Sequence, residues 1–308
     1  AVDAVPAGRL RLAAPPALPP TEAARGALAR DWWVYSFSQL AREADGGAGP
    51  APLDTATRGA GDEPAEAAPD LRFSGARFGN VLHAALERVD FACWRQPDAV
   101  PPEQRAILAE ALREGGYGGD EVLADGLRLL AELVAATLAA PLPEGARLAD
   151  LPAAARRSEM EFHLSMAPVA IPDLIALLHA HDVLRGRRGF GLRARIEGLM
   201  TGFIDLVYRH DGRYYVLDYK SNRLRDYGAA ALEAAMRESE YDLQALIYTL
   251  ALHRYLRARL PDYAYARHMG GVRYLFCRGL DGSGRGVFAT RFPEELVTAL
   301  DALLGGGA

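Results

Sequence analysis

The chain has 308 residues, half of them hydrophobic, which allows a substantial core in one large domain or two small ones and excludes a disordered polypeptide. A formal net charge of -5 excludes a generally basic nucleic-acid coat, so any DNA contact has to be local or metal-mediated. Cys93 and Cys277 are too few and too far apart for a disulfide framework or for an iron–sulfur cluster built from this chain alone, and no apolar run reaches membrane-spanning length.

A reducing cytoplasm and no membrane are therefore expected. The chain starts without Met and without a signal-peptide pattern, and reads as a fragment of a longer chain or a processed one. Residues 1–30 are dominated by Ala and Pro, including Ala14-Pro-Pro-Ala-Leu-Pro-Pro20, and read as an extended tether to a folded domain over 31–308. Trp32 to Leu40 opens that domain, with Ser36 or Ser38 as a possible N-cap of a short helix. Residues 45–70, rich in Gly, Ala, Pro and acids, read as a mobile loop.

The spacing of Phe78, Leu82, Leu86 and Val89 predicts a helix over 76–89, with His83 beside the apolar stripe and Glu87 one turn on. By itself such a His is more often a satisfied helix residue than a ligand. Helices are expected over 102–115 and 120–140, the second stopped by Pro141 and Pro143. Met160, Phe162 and Leu164 alternate with Glu159, Glu161 and His163, which predicts a half-buried strand. Ile171 to His181 reads as a short helix. Arg185 to Arg195 holds five arginines and one Phe, either a solvated loop or a phosphate-contacting one.

Residues 198–222 organise the rest. Two runs rich in β-branched and aromatic residues flank Asp211-Gly212, a strong hairpin signal. With these two at the turn, His210 pairs with Arg213 and Asp205 falls opposite Asp218. Alternation then puts Asp205, Asp218, Lys220, Val207 and Val216 on one face, and Ile204, Leu206, Tyr208, Tyr215, Leu217 and Tyr219 on a core face. Two carboxylates about 5 Å apart repel by about 3 kcal/mol at an effective dielectric near 20, which a purely structural hairpin would avoid. A divalent cation removes that penalty, and the chain's sole lysine, Lys220 against 34 arginines, supplies a compact ammonium beside it. Helices follow over 228–238 and 241–260, the latter carrying Tyr241, Gln244 and Tyr248 on one face, with Arg254, Arg257 and Arg259 as further candidates for phosphate contact. Strands over 271–278 and 286–290 and a helix over 293–304 close the chain. Strands flanked by helices give an α/β sandwich around a mixed sheet.

Gly202-Phe-Ile-Asp-Leu-Val-Tyr208, Asp218-Tyr-Lys-Ser-Asn222 and Tyr241-Asp-Leu-Gln-Ala-Leu-Ile-Tyr248 together resemble the RecB-type nuclease domains of the PD-(D/E)XK superfamily. The resemblance runs from about Trp32 to the end. It implies a restriction-endonuclease-like core and a Mg2+-dependent DNase, with Mn2+ or Ca2+ able to take the same position. Asp205, Asp218, His83 and the Tyr219 carbonyl would hold the metal, and Lys220 would position and activate water. It further implies that Glu161 joins the acidic site and that Gln244, Tyr248 and Tyr241 support it or contact DNA. The implied setting is bacterial double-strand-break repair, acting on single strands delivered by a helicase, with RecC and RecD as partners and RecA as the recombinase loaded. ATP would serve only that helicase: a phosphate-binding loop needs a lysine, and the only one lies in the hairpin. A catalytically silent nuclease fold and a stand-alone RecB-family enzyme with an iron–sulfur cluster are the alternatives.

Overall fold

A computed structural model describes residues 33–36, 71–96, 100–191 and 193–305. The expected tether, the Ser38 cap and the 45–70 loop lie outside these residues. The fold is built on one long strand, β3 (Arg195–His210), which returns through a tight turn into β4 (Arg213–Lys220). Asp211 and Gly212 take φ of 46° and 77°, the left-handed pair that a two-residue turn between twisted strands requires.

Four further strands complete a six-stranded mixed sheet: β1 (Trp33–Tyr35), β2 (Arg156–Ala170), β5 (Met269–Phe276) and β6 (Val287–Thr290) join β3 and β4 in the order β1-β3-β4-β5-β6, with β2 also on β3. The β1–β3 and β4–β5 pairs are parallel, and the others antiparallel. Trp33 to Tyr35, in the segment expected to open the folded domain, form a strand. Its aromatic and β-branched residues lie parallel to Gly198–Met200, a pairing no local pattern announces.

Helices cover both faces. On one side α1 (Gly75–Arg88), α2 (Pro102–Glu114) and α3 (Asp120–Ala139) pack against Leu206, Tyr208, Tyr215, Leu217 and Tyr219. On the other, α4 (Ile171–Ala180), α5 (Ala229–Glu238), α6 (Tyr241–Arg259) and, past the short α7 (Tyr265–His268), α8 (Glu294–Leu303) pack against Val207, Val216, Val272 and Phe276. The expected division of the hairpin into a core face and a site face therefore does not hold, because both faces are buried. Ile204 also changes sides, packing with Val207 and Val216 rather than with Leu206. No helix among the described residues is long and apolar enough to cross a membrane.

Arg254 and Arg257, candidates for phosphate contact in the sequence, are committed elsewhere. Both pair with the buried carboxylate of Asp301 on α8, at 2.5 and 2.7 Å. Burial alone would raise the Asp301 pKa, but hydrogen bonds and charge from the two guanidiniums outweigh it and hold the group below its ordinary 3.8. A depressed carboxylate contributes stability that is complete above the unfolded pKa and fades as pH falls through the folded one. Asp301→Ala is expected to cost about 2–3 kcal/mol in chemical denaturation at pH 7, and the difference from the parent chain should shrink below pH 4.

Candidate active site

The site lies where the sheet opens. One edge of β3 pairs with β1 over Gly198–Met200 and with β4 over Leu206–His210, and residues 201–205 of that edge enter neither ladder. On the other edge, pairing with β2 passes from Leu206–Ser158 to Ile204–Met160, and Glu159 between them has φ of 48°. Asp205 is thus the residue at which β3 leaves regular pairing on both sides. Left-handed backbone in a non-glycine residue costs about 1–3 kcal/mol and persists where its surroundings over-determine it.

The hairpin ladder stops at Leu206–Leu217, one pair short of the expected Asp205–Asp218 opposition. Freed from the ladder, the Asp205 carboxylate accepts the Tyr219 N–H at 2.8 Å and meets His83 Nδ1 of α1 at 3.2 Å. Asp218 turns to its own strand neighbour, with Oδ2 2.7 Å from Lys220 Nζ. Both members of that pair are buried, at 2% and 5% exposure. The hairpin register sets the acids near one another, while α1 brings the partner of Asp205 and β4 itself carries the partner of Asp218.

Lys220 is enclosed from the α6 side. Its Nζ donates to Gln244 Oε1 at 3.0 Å and stands 3.9 Å from the centre of the Tyr241 ring and 5.2 Å from that of Tyr274. Gln244 Nε2 donates to the Tyr248 hydroxyl at 3.1 Å. The three α6 residues singled out by spacing therefore converge on the lysine. Tyr274 was not singled out, because its only local signal is a buried strand aromatic. It becomes a site residue through β4–β5 pairing, where it lies beside Asp218.

Burial pushes the Asp218 carboxyl up to about 6, with Asp205 adding to the rise and Lys220 opposing it. For Asp205 burial acts the same way, but the His83 imidazole, the Tyr219 amide and Lys220 outweigh it and the pKa falls below 3.8. Burial would lower Lys220 and His83, yet Asp218 raises the first and Asp205 the second above their ordinary values. The acids are thus pushed apart by unequal surroundings, a pattern that accompanies functional sites.

Glu161 stands apart from these residues. It is exposed on β2 and contacts His163 at 3.4 Å. Glu159, two residues earlier, lies opposite Asp205 and adds its charge to the surroundings of Tyr248, making it the nearer of the two acids. Glu87 is exposed. Among the arginines of residues 185–195, Arg187 is buried against Glu240 at 2.9 Å and Arg193 reaches the Tyr35 hydroxyl at 3.3 Å, while Arg188 and Arg195 are exposed.

No group of three or more His, Cys, Asp or Glu among the described residues closes into a metal cluster. The donors nonetheless fit a hard divalent cation that keeps most of its waters and takes one or two carboxylates. Asp218 Oδ2 and His83 Nδ1 are buried without a directed hydrogen bond, so donor atoms are held ready at the opening. The approach is close: a Cβ on Gly79 of α1 would come within 3.0 Å of Ser221 Oγ, just past Lys220.

Comparison with known proteins agrees with this geometry. Residues 57–301 match the model of the PD-(D/E)XK nuclease superfamily. The RecBCD enzyme subunit RecB of Escherichia coli K12 is 40% identical over 240 residues, covering 75% of this chain and 19% of that protein. The Haemophilus influenzae subunit of the same name is 38% identical over 237 residues, 74% of this chain and 18% of its own length. The Mycobacterium tuberculosis H37Rv one is 36% identical over 272 residues, 76% and 24%. The chain thus spans about a fifth to a quarter of the length of these relatives. With its mixed sheet, its Asp205, Asp218 and Lys220 at the mouth of the hairpin, and this match over most of its length, the chain belongs to the PD-(D/E)XK nuclease superfamily as a RecB-type nuclease domain.

Proposed function

We propose that this domain is a Mg2+-dependent DNA nuclease that hydrolyses phosphodiester bonds of unwound strands within a RecBCD-type helicase–nuclease of bacterial double-strand-break repair. The observation that carries the reading is the buried Asp218–Lys220 contact of 2.7 Å beside a second, half-buried acid, Asp205. Inert packing has no use for such a group of charges, since burying them costs several kcal/mol per ion.

Asp205, Asp218, His83 and the Tyr219 carbonyl would hold the cation. When bound, it supplies Lewis-acid polarisation of the phosphate and a more acidic water. The chain's own residues do the rest. Lys220, with its pKa raised by Asp218, is an ammonium at neutral pH. It is placed to act as a donor, orienting a water and stabilising charge on the phosphorane. Gln244 and the tyrosines hold that ammonium in place. Cleavage leaves 5′-phosphate and 3′-hydroxyl ends. RecC and RecD, the helicase part of the longer chain and the recombinase RecA are the partners, in the cytoplasm.

Two measurements test this. On single-stranded DNA the chain should cleave with Mg2+ and stop with EDTA. Asp218→Ala and Lys220→Ala should each lower kcat by about 10²–10³-fold or more. Full activity in Asp218→Ala would overturn the reading. In metal-free protein the His83 imidazole should titrate above 6.5, because Asp205 outweighs burial. Asp205→Asn removes that charge and leaves burial dominant, so the midpoint should drop below 6.5, read from the imidazole C–H signals by NMR with His83→Gln as assignment.

A further inference from the structure

Gln244 is a side chain with two ends, and both are tied. Its Oε1 accepts two hydrogen bonds, from Lys220 Nζ at 3.0 Å and from the Tyr274 hydroxyl at 2.9 Å. Its Nε2 donates to the Tyr248 hydroxyl at 3.1 Å. The amide is therefore locked with its oxygen towards the ammonium; the reverse orientation would set N–H against N–H. Tyr274 is fully buried, and its ring stacks on that of Tyr241 with centroids 5.8 Å apart. Those two rings form the aromatic wall against Lys220. The Tyr274 backbone, in turn, is the ladder partner of Asp218.

From these contacts we propose that Tyr274 is a positioning residue for the nuclease reaction: its hydroxyl fixes Gln244, and through Gln244 it fixes the ammonium of Lys220 beside Asp218. This rests on the nuclease reading above. Without that hydroxyl, the Gln244 oxygen keeps one donor, and its side chain is free to turn away. Lys220 then loses the amide acceptor that balances Asp218 among the described residues, and collapses onto a carboxylate needed for the cation. Tyr241 has a lesser part, because its own hydroxyl points to Asn222 Oδ1 at 3.4 Å and only its ring faces the lysine.

The chain offers an unusual probe, since Lys220 is its only lysine. In the 308-residue chain labelled with 13C-lysine, one ε-methylene signal should appear, shifted upfield of free lysine by the two rings. Tyr274→Phe keeps the ring and removes the hydroxyl. It should move that signal and lower kcat on single-stranded DNA by about tenfold, the worth of one hydrogen bond, with KM unchanged. Tyr265→Phe is the control. It removes a comparable buried hydroxyl, bonded to the Phe292 carbonyl at 2.8 Å, and should leave both the lysine signal and kcat as they were. A Tyr274→Phe chain matching Tyr265→Phe in both readouts would overturn the proposal, as would a moved lysine signal with unchanged kcat. A parent chain that shows the upfield lysine, responsive to Tyr274→Phe, but no nuclease activity would support the lock on Lys220 and overturn the nuclease reading instead.

Discussion

Two acids drawn out of bulk water, Asp218 buried and Asp205 half-buried, set the terms for this domain. Asp205 raises the cost of ionising Asp218, and the fold gives each acid a separate partner from its surroundings. Asp205 has His83, brought by α1 on one side of the sheet; Asp218 has Lys220, steadied by α6 on the other. The irregular pairing of β3, the left-handed Glu159 and the early end of the hairpin ladder all belong to the same arrangement. Continued regular pairing would set the acids directly across from one another, where their mutual repulsion is greatest.

Much of this was legible in the sequence because its signals are local. The Asp211-Gly212 turn fixed the hairpin register from His210–Arg213 to Leu206–Leu217, and helical spacing located α1 to α6 within a residue or two. Tyr241, Gln244 and Tyr248 share a helix face, so their convergence follows from the 3.6-residue period. The rest depends on tertiary pairing. β1 is three residues long and has meaning only against β3. The place of Tyr274 follows from parallel pairing of β4 with β5, across three intervening helices. Glu159 and Glu161 have the same alternation and the same chemistry, and only the backbone conformation at Glu159 separates them. The assignment of one core face failed because alternation is disturbed at Asp205, which no composition rule shows.

Cation usage makes a second point about how the chain is read. Arginine serves the scaffold: Arg254 and Arg257 tie α6 to α8, Arg187 closes on Glu240, and Arg273 holds Glu144 at 2.9 Å beneath the sheet. Its planar fork suits such fixed bidentate partners. The single ammonium is kept for the opening, where a compact charge faces an acid, an amide oxygen and two rings at once.

The close approach of Gly79 to Ser221 has a consequence for assembly. It presses the helix that carries His83 onto the chain just beyond Lys220, while α6 closes on the lysine from behind. Neither hydrophobic layer alone contains the working set of groups. A chain whose carboxyl-terminal layer has yet to fold lacks the side chains that enclose Lys220, and one that has lost its amino-terminal layer lacks His83.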